Sequence, residues 1–248
     1  MVTERVRAQR VIAGEYTAPV ALRARPTARE TDVPRTVQLG RAALIDVDAR
    51  IGVIPERAPR TDALSIGGAA VVRSGSVVYA GSTIGDDLQT GHNVVIREGN
   101  HIGNGFTIGH NSVVEVDCTI GDNVSVGANC HIGSQTTIES GAQIASGALL
   151  LDDPHPGSAT RLCARGPVIH EGAQVGANAT VLPIVEIGAH ALVGAGSVVT
   201  KNVAPGTVVV GSPARRLKLV GAVRCPLDLL AGDYLSEPVR RRGEPRGR

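Results

Sequence analysis

Ile66, Ile84, Ile102, Ile120 and Ile138 recur at a fixed step of eighteen residues, each followed by Gly or Glu (Gly67, Gly85, Gly103, Gly121, Glu139). A fixed internal period is the mark of a solenoid and is read before any local helix or strand signal. Cutting the chain every six residues from Ile66 to Leu150 gives fifteen hexads. All but the one headed by Thr90 begin with an aliphatic residue. The fifth hexad residue is mostly small or β-branched, as in Ala70, Ser76, Ser82, Val94, Ser112, Val124, Thr136, Ala142 and Ala148. Two inward residues per six make one short strand and one turn, and three hexads close one triangular coil. Neither strict alternation nor a 3.6-residue period fits.

The same frame holds upstream at Leu39, Ile45 and Ile51, and downstream at Ile169, Val175, Val181, Ile187, Val193 and Val199. Residues 57–65 and 152–167 fall outside it and read as loops ejected from the coil. The expected organisation is an irregular segment 1–38, a solenoid 39–218 and a C-terminal extension 219–248, basic and frayed at its end. At ~4.8 Å per stacked strand, about eight coils make a prism on the order of 35–40 Å long.

Composition agrees with a narrow prism. Aromatic residues make up 2% of the chain and Trp is absent, so the interior is expected to take only aliphatic and small side chains. The 31 glycines serve tight corners. Of the four cysteines, Cys118 and Cys130 fall at the inward fifth position, where a thiol behaves as a small hydrophobe. Cys163 lies in the second loop and Cys225 in the tail, and no CxxC spacing suggests a metal or a disulfide. Neither end reads as a signal peptide or a long apolar run, which predicts a cytoplasmic protein that does not enter membranes. The nine acids of residues 84–153 face one base, Arg97, whereas the stretch from Arg215 onward is Arg-rich. No aromatic platform accompanies that basic tail, so it reads as solvated or phosphate-contacting rather than nucleic-acid-binding.

Two stretches carry a resemblance. Val193-Gly194-Ala195-Gly196-Ser197-Val198-Val199-Thr200-Lys201-Asn202-Val203, followed by Pro205-Gly206 and Gly211-Ser212-Pro213-Ala214-Arg215, resembles the last coils and exit of the hexapeptide-repeat acyltransferases. Gln89-Thr90-Gly91-His92-Asn93-Val94-Val95-Ile96-Arg97-Glu98 is similar to the subgroup that N-acylates nucleotide-linked amino-deoxysugars. The resemblance covers about residues 39–218. It implies an all-β fold, a left-handed parallel β-helix. General crossover rules favour the opposite hand, so the handedness comes from the family alone. It also implies a homotrimer with the active site in a groove between subunits. Acetyl-CoA would be the co-substrate and a TDP- or UDP-linked amino sugar the acceptor, with no metal.

Several residues are candidates for that chemistry. Amide formation needs a base to accept the amine's proton, and histidine suits the role near neutral pH. His92 is the first candidate and His110, eighteen residues on, the second. His155, on the second loop, is a rival, and a base-free route in which the departing thiolate takes the proton stands beside them. Asn93, Arg97, Glu98, Asn111 and Asp153 are candidates to bind the acceptor. Asn111 and Asn129 read more simply as a corner ladder, and Arg97 with Glu115 as a structural ion pair. Gly176, Ala177, Gly194 and Ala195 are expected to let the pantetheine arm lie close, and Lys201, Arg215 and Lys218 to meet CoA phosphates. Arg161 and Arg165, or Arg57 and Arg60 of the first loop, could meet phosphates as well. His101, His131 and His190 read as surface residues.

Other functions are weighed on the same residues. A zinc-dependent carbonic anhydrase of this fold needs an H-x4-H pair, which the chain lacks. A non-catalytic scaffold leaves the histidine edge and the acetyl-CoA-like exit unexplained. O-acetylation of a sugar, or acylation of an amine without a nucleotide, is the nearer alternative.

Overall fold

The computed structural model describes residues 37–56, 63–157 and 163–224. Short strands follow one another around three sheets, and each strand pairs with the strand one coil on. Thr83–Ile84, His101–Ile102 and Thr119–Ile120 are successive rungs of the first sheet, in parallel register. The first and third sheets have eight strands each and the second has ten. This is the left-handed β-helix of hexapeptide repeats anticipated above. We refer to the corners as edge 1–2, edge 2–3 and edge 3–1, after the sheets that each connects.

The hexad frame explains the packing. The first hexad residue ends each two-residue strand and points inward, so Ile66, Ile84, Ile120 and Ile138 are buried while the residue before each faces out. Pleated alternation within so short a strand leaves one inward side chain. The fifth residue supplies the second. The fourth residue of nearly every hexad lies in the left-handed region, for example Asp87, Asn93, Gly99, Gly105, Asn111 and Asp117. Gly, Asn and Asp tolerate that conformation best, which accounts for their recurrence there. Ala42, Ala69, Gln135 and His190 depart from that preference, and Ile184 departs furthest, a β-branched residue with φ of 65° and an exposed side chain.

The interior is less restricted than composition implied. Phe106 is fully buried at a fifth hexad position. It fits because edge 1–2 tapers around it, from Leu88 above to Val124 and Ala142 below. The fifth residues of the next two corners, Ser112 and Cys118, are small. Polar interior residues join the coils. The Ser112 hydroxyl donates to Gly127 O at 2.8 Å and accepts from Cys130 N at 3.0 Å; Ser76, two coils above on the same edge, and Ser82, at the corner after it, do the same. Among the described residues every buried side-chain N or O has a partner, as native interiors require.

Both loops leave from edge 3–1. The first departs after Arg50–Val53, and the coil resumes at Leu64–Ile66, one residue before the expected boundary at 65. The second is closed by hydrogen bonds from Arg165 N to Asp152 O and from Gly166 N to Ser134 O. Across it Thr137 pairs with Val168, thirteen residues beyond the regular step, and the register is otherwise intact. The first strand begins at Val37 and the last, Arg215–Leu219, runs antiparallel to Thr207–Val210 and ends one residue past 218. Residues 1–36 and 225–248, with Cys225, lie outside the described residues.

Candidate active site

Edge 2–3 carries the histidine pair. Where the third hexad residue of the next coil has an acceptor, that side chain can receive the main-chain N–H of the third residue above it, as Ser146 receives that of Ala128; Ala128 itself has none to offer His110. At this rung the His92 N–H donates to Nδ1 of His110 at 2.8 Å. The two imidazoles stack with centroids 5.3 Å apart and planes 9° from parallel. A ring nitrogen that accepts carries no proton, so neutral His110 has its hydrogen on Nε2. The His92 ring receives no such donor, because Ser74 N donates instead to Asp46 Oδ2 at 2.9 Å. Beside the rings, Asn93 Nδ2 donates to Asn111 Oδ1 at 3.2 Å and Asn111 Nδ2 to Asn129 Oδ1 at 3.4 Å. These amides form the corner ladder.

A shallow cleft of about 390 Å³ opens on the pair and includes Arg73, Gln89, Thr107, His92 and His110. Arg73, which sequence reasoning missed, stands one coil above His92. Its nearest carboxylate, Asp46, is 3.9 Å away. Its only signal was its place in the frame, eighteen residues before Gly91.

Below the histidines the same edge narrows to Ala128, Ser146, Ala177 and Ala195, beside a second cleft of about 330 Å³ that reaches Gly176 and Val193. The glycines there have a reason that involves no ligand. A Cβ on Gly176 would lie 2.5 Å from Ala195 N, and one on Gly194 2.6 Å from Val210 Cγ1. At the C-terminal end, a cleft of about 410 Å³ is lined by Lys201, Asn202, Thr207, Arg215 and Arg216 among others, with no carboxylate. Arg216 joins the two expected cations, while Lys218 does not: it is not among the residues lining this cleft, and its Nζ donates to Ala222 O at 3.3 Å.

The remaining candidates occupy a different edge. Arg97 holds Glu98 through two hydrogen bonds, at 3.0 and 3.2 Å, and Glu115 through a third at 3.1 Å, with its guanidinium 5.9 Å from the Tyr79 ring. Burial alone would lower the Arg97 pKa; the hydrogen bond and charge of Glu98, then of Glu115, outweigh it and raise it above the ordinary value. Glu98 is 2% exposed. This cluster is a satisfied ion network at edge 3–1, as are the nearby bonds of the second loop, where Asp153 Oδ1 accepts from His155 N at 2.8 Å. One chain therefore brings His92, His110, Asn93 and Asn111 together on one edge, and places Arg97, Glu98, Asp153 and His155 on another. Arg165 is exposed; Arg57, Arg60 and Arg161 lie outside the described residues.

His170 also went unremarked in the sequence. Its Nδ1 lies 3.0 Å from Glu139 Oε1 and its Nε2 3.6 Å from Glu186 Oε2, on the outer face of the first sheet. The two interior thiols are inert by position. Burial pushes the Cys118 thiol up to about 12, whereas Cys163 is exposed.

Parts of the chain are similar to known proteins. The model of the bacterial transferase hexapeptide family (six repeats) matches residues 117–152 and 166–201. A 2,3,4,5-tetrahydropyridine-2,6-dicarboxylate N-acetyltransferase of Staphylococcus aureus is 35% identical over 88 residues, 36% of this chain and 35% of that protein. The chain thus spans about a third of that relative's length. Among solved structures, the polySia-specific acetyltransferase NeuO is 18% identical with a TM-score of 0.36, over 74% of this chain and 85% of that one. AntD, an N-acyltransferase from Bacillus cereus solved in complex with dTDP and coenzyme A, is 17% identical with a TM-score of 0.36, over 73% and 83%.

Proposed function

We propose that this left-handed β-helix, part of which matches the bacterial transferase hexapeptide repeat, is an acetyl-CoA-dependent N-acetyltransferase whose acceptor is a nucleotide-linked amino-deoxysugar. One observation carries this reading. A single edge holds, in order, a cation at Arg73, the stacked His92 and His110, and a lane of small residues at Ala128, Ser146, Ala177 and Ala195. At the C-terminal end of the prism, Lys201, Arg215 and Arg216 line a further cleft. An acyl-CoA laid along the lane puts its phosphates among those cations and its thioester beside the histidines. Arg73 then suits an anionic acceptor such as a nucleoside diphosphate.

In this scheme the amine nitrogen attacks the thioester carbonyl carbon. A C–N bond forms, His92 accepts the proton released, and the C–S bond breaks as His92 passes that proton to the departing sulfur, giving CoA thiol and amide. The groove is completed by a neighbouring copy in a homotrimer. That copy's edge 3–1 brings Arg97, Glu98, Asp153 and His155 into reach, which one chain alone does not. The protein acts in the cytoplasm, where its substrates are made. A second reading is a small amine acceptor bearing a carboxylate, favoured by the dicarboxylate named for the Staphylococcus aureus relative and equally suited to Arg73.

The test is thiol release from acetyl-CoA with TDP- and UDP-amino sugars and with amino dicarboxylates. Turnover with a nucleotide sugar is expected. Turnover with the dicarboxylates alone replaces the acceptor, and none with either class, in a protein that forms a trimer, overturns the activity.

A further inference from the structure

We propose that the two stacked histidines have different duties: His92 moves the proton, while His110 donates a hydrogen bond from Nε2–H to the carbonyl oxygen that becomes negative when the thioester is attacked. The division rests on the acetyltransferase reading for its chemistry but on the rung geometry for its logic.

The Nδ1 lone pair of His110 is engaged by the His92 N–H at 2.8 Å. A proton on that nitrogen would set two N–H groups against each other and orphan a main-chain donor at the corner. The same duty falls to oxygens elsewhere. On edge 1–2, the N–H of Asp86 is received by Asn104 Oδ1, that of Asn104 by Asp122 Oδ1 and that of Asp122 by Ser140 Oγ. On edge 2–3 itself, Ala128 N donates to Ser146 Oγ. His110 is thus a rung acceptor like the rest, with one addition. An imidazole that accepts at Nδ1 must, when neutral, present N–H on its far side. That makes it a fixed donor and a poor base. His92 is under no such constraint, since the main-chain N–H above it is bonded to Asp46.

Order along the edge suits the assignment. His110 stands between His92 and the lane proposed for the pantetheine arm, so its donor lies on the thioester side and the base on the acceptor side. No carboxylate lines the cleft; its charged residue is Arg73. In the reaction the amine nitrogen bonds to the carbonyl carbon and the C=O electron pair moves to oxygen, which accepts from His110 Nε2–H. His92 takes the ammonium proton. Collapse restores C=O, breaks C–S and returns that proton to the departing sulfur.

The experiment is a long-range ¹H–¹⁵N spectrum of the full-length ¹⁵N-histidine protein without substrate, above the histidine titration range, with signals assigned through His92→Asn and His110→Asn. His110 is expected as the Nε2–H form. An Nδ1–H form overturns the assignment whether or not the enzyme is active. Kinetics supply the second half. His110→Asn, which keeps a rung oxygen as Asn104 does, should fold normally and lose about a hundredfold in kcat, the usual scale for one oxyanion donor. It should keep the acid limb of the kcat/KM pH profile, and His92→Asn should lose that limb. Should the Asn variant fold poorly, His110→Ser repeats the chemistry of Ser146. Near-normal kcat in a folded His110 variant overturns the donor role. Failure of every acceptor to release thiol overturns the acetyltransferase reading and leaves the tautomer result to stand by itself.

Discussion

Edges 1–2 and 2–3 are built by the same device and filled differently. Both stack third hexad residues, and a side chain with an acceptor there can receive the N–H of the coil before; on edge 2–3 His110 and Ser146 do, while His92 and Ala128 do not. Edge 1–2 fills the rungs with Asp86, Asn104, Asp122 and Ser140, whose oxygens end their usefulness there. Edge 2–3 puts His110 on one rung and His92 above it, then Ala128 and Ser146. His110 meets this structural demand as the oxygens of edge 1–2 do, so its rung bond says nothing against chemistry at that position. What distinguishes the edges is what remains beside the rung bonds: a spare N–H, a spare ring and an arginine on one; exposed oxygens on the other.

The sharpest way to break this contrast is at His92. His92→Asn should reduce turnover at least a hundredfold, about 2.7 kcal/mol in the barrier, with the thermal midpoint unchanged. Asn104→His on edge 1–2 should change neither. A near-normal rate for His92→Asn, followed by thiol release, would hand the proton to His155 or to the leaving thiolate.

The second comparison is steric and should show the edges alike. A Cβ on Gly109 would lie 2.5 Å from Ala128 N, and one on Gly103 2.9 Å from Asp122 N. Ala at either place should cost about 1–3 kcal/mol, the scale of overpacking against backbone, read by denaturant unfolding. A loss at one edge only would show that the corners are not equivalent. The smallest effect is expected at Gly141. It has φ of 71° and nothing nearer than Gly172 N at 4.0 Å, and Asn123, one coil above, already adopts the same conformation. Gly141→Asn should stay within about 0.5 kcal/mol, and a larger loss would mean that the corner needs more than a left-handed residue.

The frame itself was legible because two inward positions in six impose a period that no helix or sheet shares. Ile66, Ile84 and Ile102 therefore marked the strands and corners between them, each closing a first-sheet strand. Cys118 and Cys130 were read correctly as interior thiols for the same reason. Phe106 was not foreseen, because bulk at one corner is allowed only by small residues at the other two, a condition set across the coil rather than along it. The His170–Glu139 contact was hidden by the insertion. These residues are stacked neighbours but stand thirteen positions further apart than the period would place them. Glu98 reads as an outward corner residue and is buried because Arg97, its immediate neighbour, folds back over it. The sharing of candidates between two edges was invisible in a linear motif, since His92 and Arg97 are five residues apart in sequence and a corner apart in space.

Edge 3–1 has a practical meaning beyond this chain's own loops. Thirteen extra residues leave the prism there and return without shifting Thr137 from Val168, because the base of the excursion is clamped by main-chain hydrogen bonds on both sides. Loop closure grows only slowly more costly with length. The edge is thus a splice port: a peptide tag, or a small domain with close termini, inserted beyond Asp152 would ride outside the coil, and the clefts of edge 2–3 would keep their spacing.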